Sequence, residues 1–386
     1  MKKILINICA MLAFVTPSFA NEAQNINRFA FDFYKSMQTE CGGENVLFSP
    51  YYIYKTLSDL QFCAEGGFKE QISKVLQNSG GGAPLDKFED SNVLKGASSL
   101  WMEGSEPLNE GFVKYSSEKL ALDVFSENLQ NAESLKEKIF AWAKSKPEIL
   151  GKDCDMLGAV NFSENLGAVL LSISSFDAKW KVPFDKTKTR AGTFLYGKDL
   201  SESAKIDFMW RLSDDIAYAD TEKFQFARIP YEGEKYSMVL VKARKGGDLD
   251  SIGLSDFDNF LQLLRDTRFT YGKIYLPKFS IKKPLDCASI LKKMGLDFSQ
   301  PAKARFFQSD KATLLLGKFF TSCLMEVDEV STKVKSLNSA DMPFGVANLN
   351  LNSPFMFFIV ESESGAIIYM GKFCKPDDSQ VKADEK

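Results

Sequence analysis

The side chain that most often moves protons near neutral pH is absent: none of the 386 residues is His. Ser–His–Asp and Cys–His nucleophilic arrangements are thereby excluded, as are His-ligated zinc or iron sites. Thiols are the other reactive class. Of seven Cys, all but Cys9 lie beyond the N-terminal segment: Cys41, Cys63, Cys154, Cys287, Cys323 and Cys374. Their wide spacing includes no CxxC, which argues against a zinc ribbon or a thioredoxin-like site. An even number permits disulfides in an oxidising compartment, and burial as free thiols is the equally weighted alternative. Ser79-Gly80-Gly81-Gly82-Ala83-Pro84 is not followed by Gly-Lys-Ser/Thr, so it is a loop and not a phosphate cradle. Neither a metal nor a cofactor is expected. One segment stands out. Val330 to Ser353 runs long between two strand-like stretches, with Met342-Pro343-Phe344-Gly345 in its middle. So long a loop inside a compact domain is uncommon and usually functional; a bland surface insertion is the alternative.

The elements around that segment follow from periodicity. Ile26, Phe29, Phe33 and Met37 share one helical face, Ser49-Pro50 opens a helix to about Phe62, and Phe68 to Leu76 is a third. Asn131 to Lys144 is amphipathic and follows a strand-like run, Ala121 to Phe125. Ala168–Phe176, Phe224–Pro230, Tyr236–Lys242 and Thr270–Pro277 have strand patterns, as do Phe319–Val327, Phe355–Glu361 and Ala366–Phe373. Leu285 to Met294 predicts a helix capped by Gly295, and Ser364-Gly365 a tight hairpin. Helices come first and antiparallel strands later, which gives an α+β class. With 45% hydrophobic residues and 33 Phe, one large core is affordable without staples.

At the N-terminus, Lys2 and Lys3 precede an apolar run from Ile4 to Val15, and Ser18-Phe19-Ala20 supplies small residues. Residues 1–20 therefore read as a cleaved signal peptide, which makes the protein secreted or periplasmic. The run is shorter than the ~20 residues a membrane span needs, so no membrane partner is expected. The formal net charge is −3 before the two lysines leave, which gives no support for a nucleic-acid partner. Residues 21–376 form one domain, and 377–386 a flexible tail of mixed charge.

Several short motifs, in order, resemble the serpin family, the serine protease inhibitor fold, in an exported, bacterial-type member. They are Phe48-Ser49-Pro50, Trp180 with Pro183-Phe184-Asp185, Phe208-Met209, Ile229-Pro230-Tyr231 and Leu276-Pro277-Lys278-Phe279. Leu291 to Leu296 and Phe298-Ser299 follow, then Glu326-Val327-Asp328-Glu329, Asn352 to Ile359 and Met370-Gly371-Lys372. The resemblance implies a single domain of three β-sheets and eight or nine helices, with a reactive loop at about 330–350. In inhibitory members this loop is bait. A protease serine attacks it, and the cut loop inserts into the central sheet with the acyl-enzyme still attached. About fifteen residues at ~3.3 Å each carry the protease about 50 Å, where distortion dismantles its oxyanion hole. The protein is then an inhibitor and not an enzyme, and the target supplies the catalysis.

The resemblance also assigns residues. Glu329, Ser331, Thr332, Val334 and Ser336 form the hinge. Strand alternation from an inward Thr332 places Val334, Ser336, Asn338, Ala340 and Met342 inward, while Lys333 and Lys335 face out. The family count puts the scissile bond near Phe344–Gly345, with Met342 the other candidate. Phe344 suits a chymotrypsin-like and Met342 an elastase-like serine protease; a cysteine protease is the lesser option. Neither Arg nor Lys occurs from Ser336 through Ser353, which disfavours a trypsin-like target. Ser331 and Val334-Lys335-Ser336-Leu337 replace the small residues usual in inhibitory hinges. The cluster that holds the sheet closed reads Ser49, Tyr52, Ser172 and Thr321, with the Tyr52 hydroxyl expected to bond in place of a missing imidazole. Asp86-Lys87-Phe88-Glu89-Asp90 occupies the position of the family's basic helix, so no heparin-type site is expected. The partner is a target protease bound by a monomer, or alternatively the protein is a non-inhibitory binding or carrier member.

Overall fold

A computed structural model describes residues 17–38, 43–78, 85–90, 92–104, 106–150, 167–266, 272–309, 312–329 and 347–382. The first helix, α1 (Pro17–Gln38), starts with Pro at the position where a missing N–H costs nothing. It buries Ile26, Phe29, Phe33 and Met37, the face its periodicity predicts. The helix runs through the expected cleavage point after Ala20, so removal of residues 1–20 would shorten it. Next come β1 (Val46–Phe48), α2 (Pro50–Cys63), α3 (Gly66–Leu76), β2 (Leu94–Glu103), α4 (Glu110–Leu120), β3 (Leu122–Glu127), α5 (Ala132–Lys144) and α6 (Pro147–Leu150). The middle holds β4 (Ala168–Phe176), β5 (Arg190–Tyr196), β6 (Glu202–Ser213), β7 (Ala217–Asp220), β8 (Phe224–Pro230), β9 (Tyr236–Ala243) and α7 (Leu254–Asp266). The last part holds β10 (Gly272–Pro277), β11 (Phe279–Asp286), α8 (Cys287–Lys293), β12 (Lys318–Val327), β13 (Ala347–Asn350), β14 (Phe355–Glu361) and β15 (Ile367–Phe373).

The strands form three sheets, ordered β1-β15-β14-β9-β8-β7, β13-β10-β6-β5 and β11-β12-β4-β2-β3. This is the α+β, three-sheet architecture expected. Phe355 to Val360 are all buried, because β14 lies inside the six-stranded sheet with β9 and β15 as neighbours. In the five-stranded sheet β11 is an edge, where Pro284 can sit without breaking a ladder on both sides. The hairpin at Ser364-Gly365 forms as predicted. Gly365 has φ +75°, and the Glu361 carboxylate accepts the Ser364 N–H at 2.8 Å.

Three boundaries differ from the sequence-based expectation. Leu285 and Asp286 end β11 instead of opening α8, because Asp286 caps that helix by accepting the Ala288 N–H at 3.1 Å. The end of the long loop is strand: Ala347–Asn350 pair in parallel with Gly272–Tyr275. The tail is tied down as far as Lys382, whose N–H donates to the Lys205 carbonyl and whose ammonium pairs with Asp207 at 2.7 Å. The Gly-rich loop at 79–84 lies outside the described residues.

Candidate functional site

The site is a wedge between two strands. β4 and β12 run parallel and are paired from Lys318↔Val169 to Cys323↔Ser174. Past that point β12 continues along β11 as far as Val327, and β4 continues along β2 as far as Phe176. Among the described residues the two strands do not pair with each other beyond Cys323 and Ser174. Two backbone edges therefore diverge with their N–H and C=O groups open to an incoming strand. At the apex the Ser174 hydroxyl and the Cys323 thiol approach to 3.7 Å.

The chain leaves the mouth of this wedge through a clamp. Trp180 donates its indole N–H to the Asp328 carbonyl at 3.0 Å, and its ring stacks on Tyr231 at 4.5 Å. Glu329 is buried, accepts the Thr189 hydroxyl, and pairs with Lys278 at 2.8 Å. Burial by itself would raise its pKa, but the bonds from Lys278 and Thr189 prevail and hold the carboxyl below the usual range. The other hinge residues, Ser331, Thr332, Val334 and Ser336, lie outside the described residues, as do Met342, Phe344 and Gly345.

Of the expected gate cluster, the structure pairs Ser172 and Thr321 as direct register partners on β4 and β12. Ser49 lies beside the Cys323 thiol, but its hydroxyl caps α2 by accepting the Tyr52 N–H at 3.2 Å and donates to the Ile368 carbonyl of β15 at 2.7 Å. The hydrogen bond expected of Tyr52 is not formed. Its ring lies flat on Gly96 of β2, so close that a Cβ there would sit 2.1 Å from Cε1. The hydroxyls of Tyr52, Ser172, Thr321, Ser322 and Tyr369 are all buried with no hydrogen-bond partner among the described residues.

Two contacts that the sequence reading missed lie at the gate, one beside it between α2 and β2 and one across it between β4 and β12. Thr56, one turn after Tyr52, hydrogen-bonds to Ser98 at 2.7 Å, and Ser98 is the register partner of Ser172. Ser174 meets Cys323 at the apex. A signal existed: Ser172 and Ser174 recur with period two inside a strand whose first four residues are apolar, so one face of β4 is polar where it is buried. Within the acidic segment Phe88 is buried, and the Glu89 carboxylate accepts from Tyr51 at 3.0 Å and pairs with Lys55 at 3.3 Å. Cys63, Cys287, Cys323 and Cys374 are free and buried. Burial pushes the Cys323 and Cys374 thiols up to about 11 and Cys63 to about 12, which makes them poor nucleophiles.

Comparison with known proteins gives a family model, Serpin (serine protease inhibitor), that matches residues 24–376. Serine proteinase inhibitor 1 of Monkeypox virus is 28% identical over 374 residues, covering 89% of this chain and 99% of the viral protein. Neuroserpin of Mus musculus is 25% identical over 410 residues, covering 97% and 96%. Neither relative is bacterial, so the bacterial-type character expected from the sequence gains no support from them. Among solved structures, human thyroxine-binding globulin superposes with TM-score 0.79 at 20% identity, covering 93% of this chain and 99% of that one. Native protease nexin-1 with heparin superposes with TM-score 0.77 at 20% identity, covering 92% and 100%.

Proposed function

The chain belongs to the serpin family, and on that premise we propose that it is an exported suicide inhibitor of a chymotrypsin-like or elastase-like serine protease. The observation that carries this reading is the wedge, in which two parallel strands separate beyond Ser174 and Cys323. The segment that leaves Glu329 at its mouth must turn back to enter it, and would lie antiparallel to both edges. The target serine Oγ bonds to the scissile carbonyl carbon, the peptide C–N bond breaks, and the new amine leaves with the C-terminal part. The N-terminal part, still esterified to the protease, then fills the wedge. The hinge is heavier than is usual for this task, so entry competes with hydrolysis of the ester. A monomer that acts outside the cytoplasm, after loss of residues 1–20, completes the proposal.

The test is incubation of the protein with a panel of chymotrypsin-like and elastase-like proteases, followed by a denaturing gel. A covalent complex is expected. Cleavage of the loop without complex across the panel would favour the second reading, a non-inhibitory binding or carrier protein, which Ser331 and Val334-Lys335-Ser336-Leu337 support.

A further inference from the structure

The outer face of the four-stranded sheet carries a charge arrangement that the loop mechanism does not use. In β10 the buried residues Ile274 and Leu276 alternate with half-buried Lys273 and Tyr275. Tyr275 is the register partner of Trp210 on β6, and the two rings stack at 6.0 Å. The Lys273 ammonium lies 4.9 Å from the Trp210 ring centre and 4.8 Å from that of Tyr275. Lys188 approaches the same indole at 5.3 Å from the other chain segment. Two ammonium groups thus converge on one ring in a chain whose formal net charge is −3. Lys188 has a long contact of 3.9 Å to Asp185, and Lys273 makes no ion pair among the described residues. Cation–π attraction holds such groups in place but does not cancel their charge. The pair is a fixed positive focus on an aromatic platform.

Its position says what would meet it. β13 pairs with β10 so that Asn348 is the partner of Lys273 and Asn350 that of Tyr275. Both Asn are exposed, while Leu349 between them is buried. Four residue steps lead from Asn348 to Phe344, a reach of at most about 14 Å. A protein docked at the loop covers ~800 Å² of its partner, so a protease engaged there overlies this sheet face.

Resting on the inhibitor reading above, we propose that Lys188, Trp210, Lys273 and Tyr275, with the Asn348 and Asn350 amides, form a secondary docking surface for an acidic patch on the body of the target protease. The surface selects among proteases that share a primary specificity. It acts on the encounter, because fixed charges at an interface rim raise the association rate more than they slow dissociation.

Two experiments on the full chain test it. In the first, a poly-glutamate peptide is titrated at low salt and followed by Trp fluorescence, a measurement that needs no inhibition. A saturable change is expected, weakened about tenfold or more in the double variant Lys188→Gln/Lys273→Gln. No change with the peptide, or the same change in the double variant, overturns the proposal. Heparin that binds at this face while the peptide does not overturns it in favour of a polysaccharide. In the second, association rate constants are measured with any protease of the panel that wild type traps. The double variant should associate about tenfold more slowly with acidic targets, form the same fraction of covalent complex, and lose its deficit near 1 M salt, where the screening length is about 3 Å. Equal rates overturn the docking surface and leave the inhibitor reading intact. If wild type traps no protease, the inhibitor reading falls, and the docking proposal that rests on it falls as well, whatever the peptide shows.

Discussion

Replacing Tyr52 by Phe should stabilise the protein. The ring is 2% exposed and packs on Gly96, and Tyr52→Phe preserves that contact. What it removes is a buried hydroxyl without a hydrogen-bond partner among the described residues. A polar group left buried and unsatisfied costs about 1–3 kcal/mol, and loss of one oxygen from the packing takes back a fraction of this. The expected gain is about 1–2 kcal/mol. Burial, with the Glu89 carboxylate and the neighbouring Tyr369 and Tyr236, drives the Tyr52 pKa far upward, so the hydroxyl is neutral throughout the working range and the gain is independent of pH there. Equilibrium urea unfolding, with m near ~3 kcal/mol/M, would read it as a midpoint increase of about 0.3–0.7 M at constant m. Gly96→Ala is the control. Its new Cβ would fall 2.1 Å from Cε1 of Tyr52, and overpacking of that kind costs about 1–3 kcal/mol. A midpoint that falls in Tyr52→Phe would mean the hydroxyl is bonded in solution, and an unchanged one that its burial is costless; either refutes the reasoning.

A cut within residues 340–346 should raise the thermal midpoint, measured by differential scanning calorimetry, because the freed segment can pair with both edges of the wedge. Thr332→Arg, which would set a charge on the face proposed to point inward, should abolish the rise. Glu329 confers stability that depends on pH, since its folded-state pKa is lowered from 4.5. The unfolded chain takes up the proton first, so this contribution is complete above the unfolded value and is lost as pH falls through the folded one. Wild type should therefore be more stable than Glu329→Gln at neutral pH, and denaturation midpoints should converge under acid. Cys63, Cys287, Cys323 and Cys374 are buried, and a thiol reagent should leave all four unlabelled in the native protein, with mass spectrometry of the digest as the readout.

The main elements were legible in the sequence because their signals are local. The apolar face of α1, the Ser49-Pro50 start of α2, the continuous apolar run of β14 and the Gly365 turn each follow from periodicity or backbone preference within a few residues. The absence of His, and with it of the common hydrolase chemistries, needed no structure at all. The gate was different. Ser49, Tyr52, Ser172 and Thr321 are suited to hydrogen bonding by type, yet only the register of β4 against β12 and the packing of α2 on β2 decide which of them meet. That arrangement set Tyr52 on Gly96, joined Thr56 to Ser98, and placed Ser174 against Cys323 where the strands part. Strand pairing over long sequence separations is cooperative and leaves no trace in any short window. The sequence therefore named the side chains, and packing chose their partners.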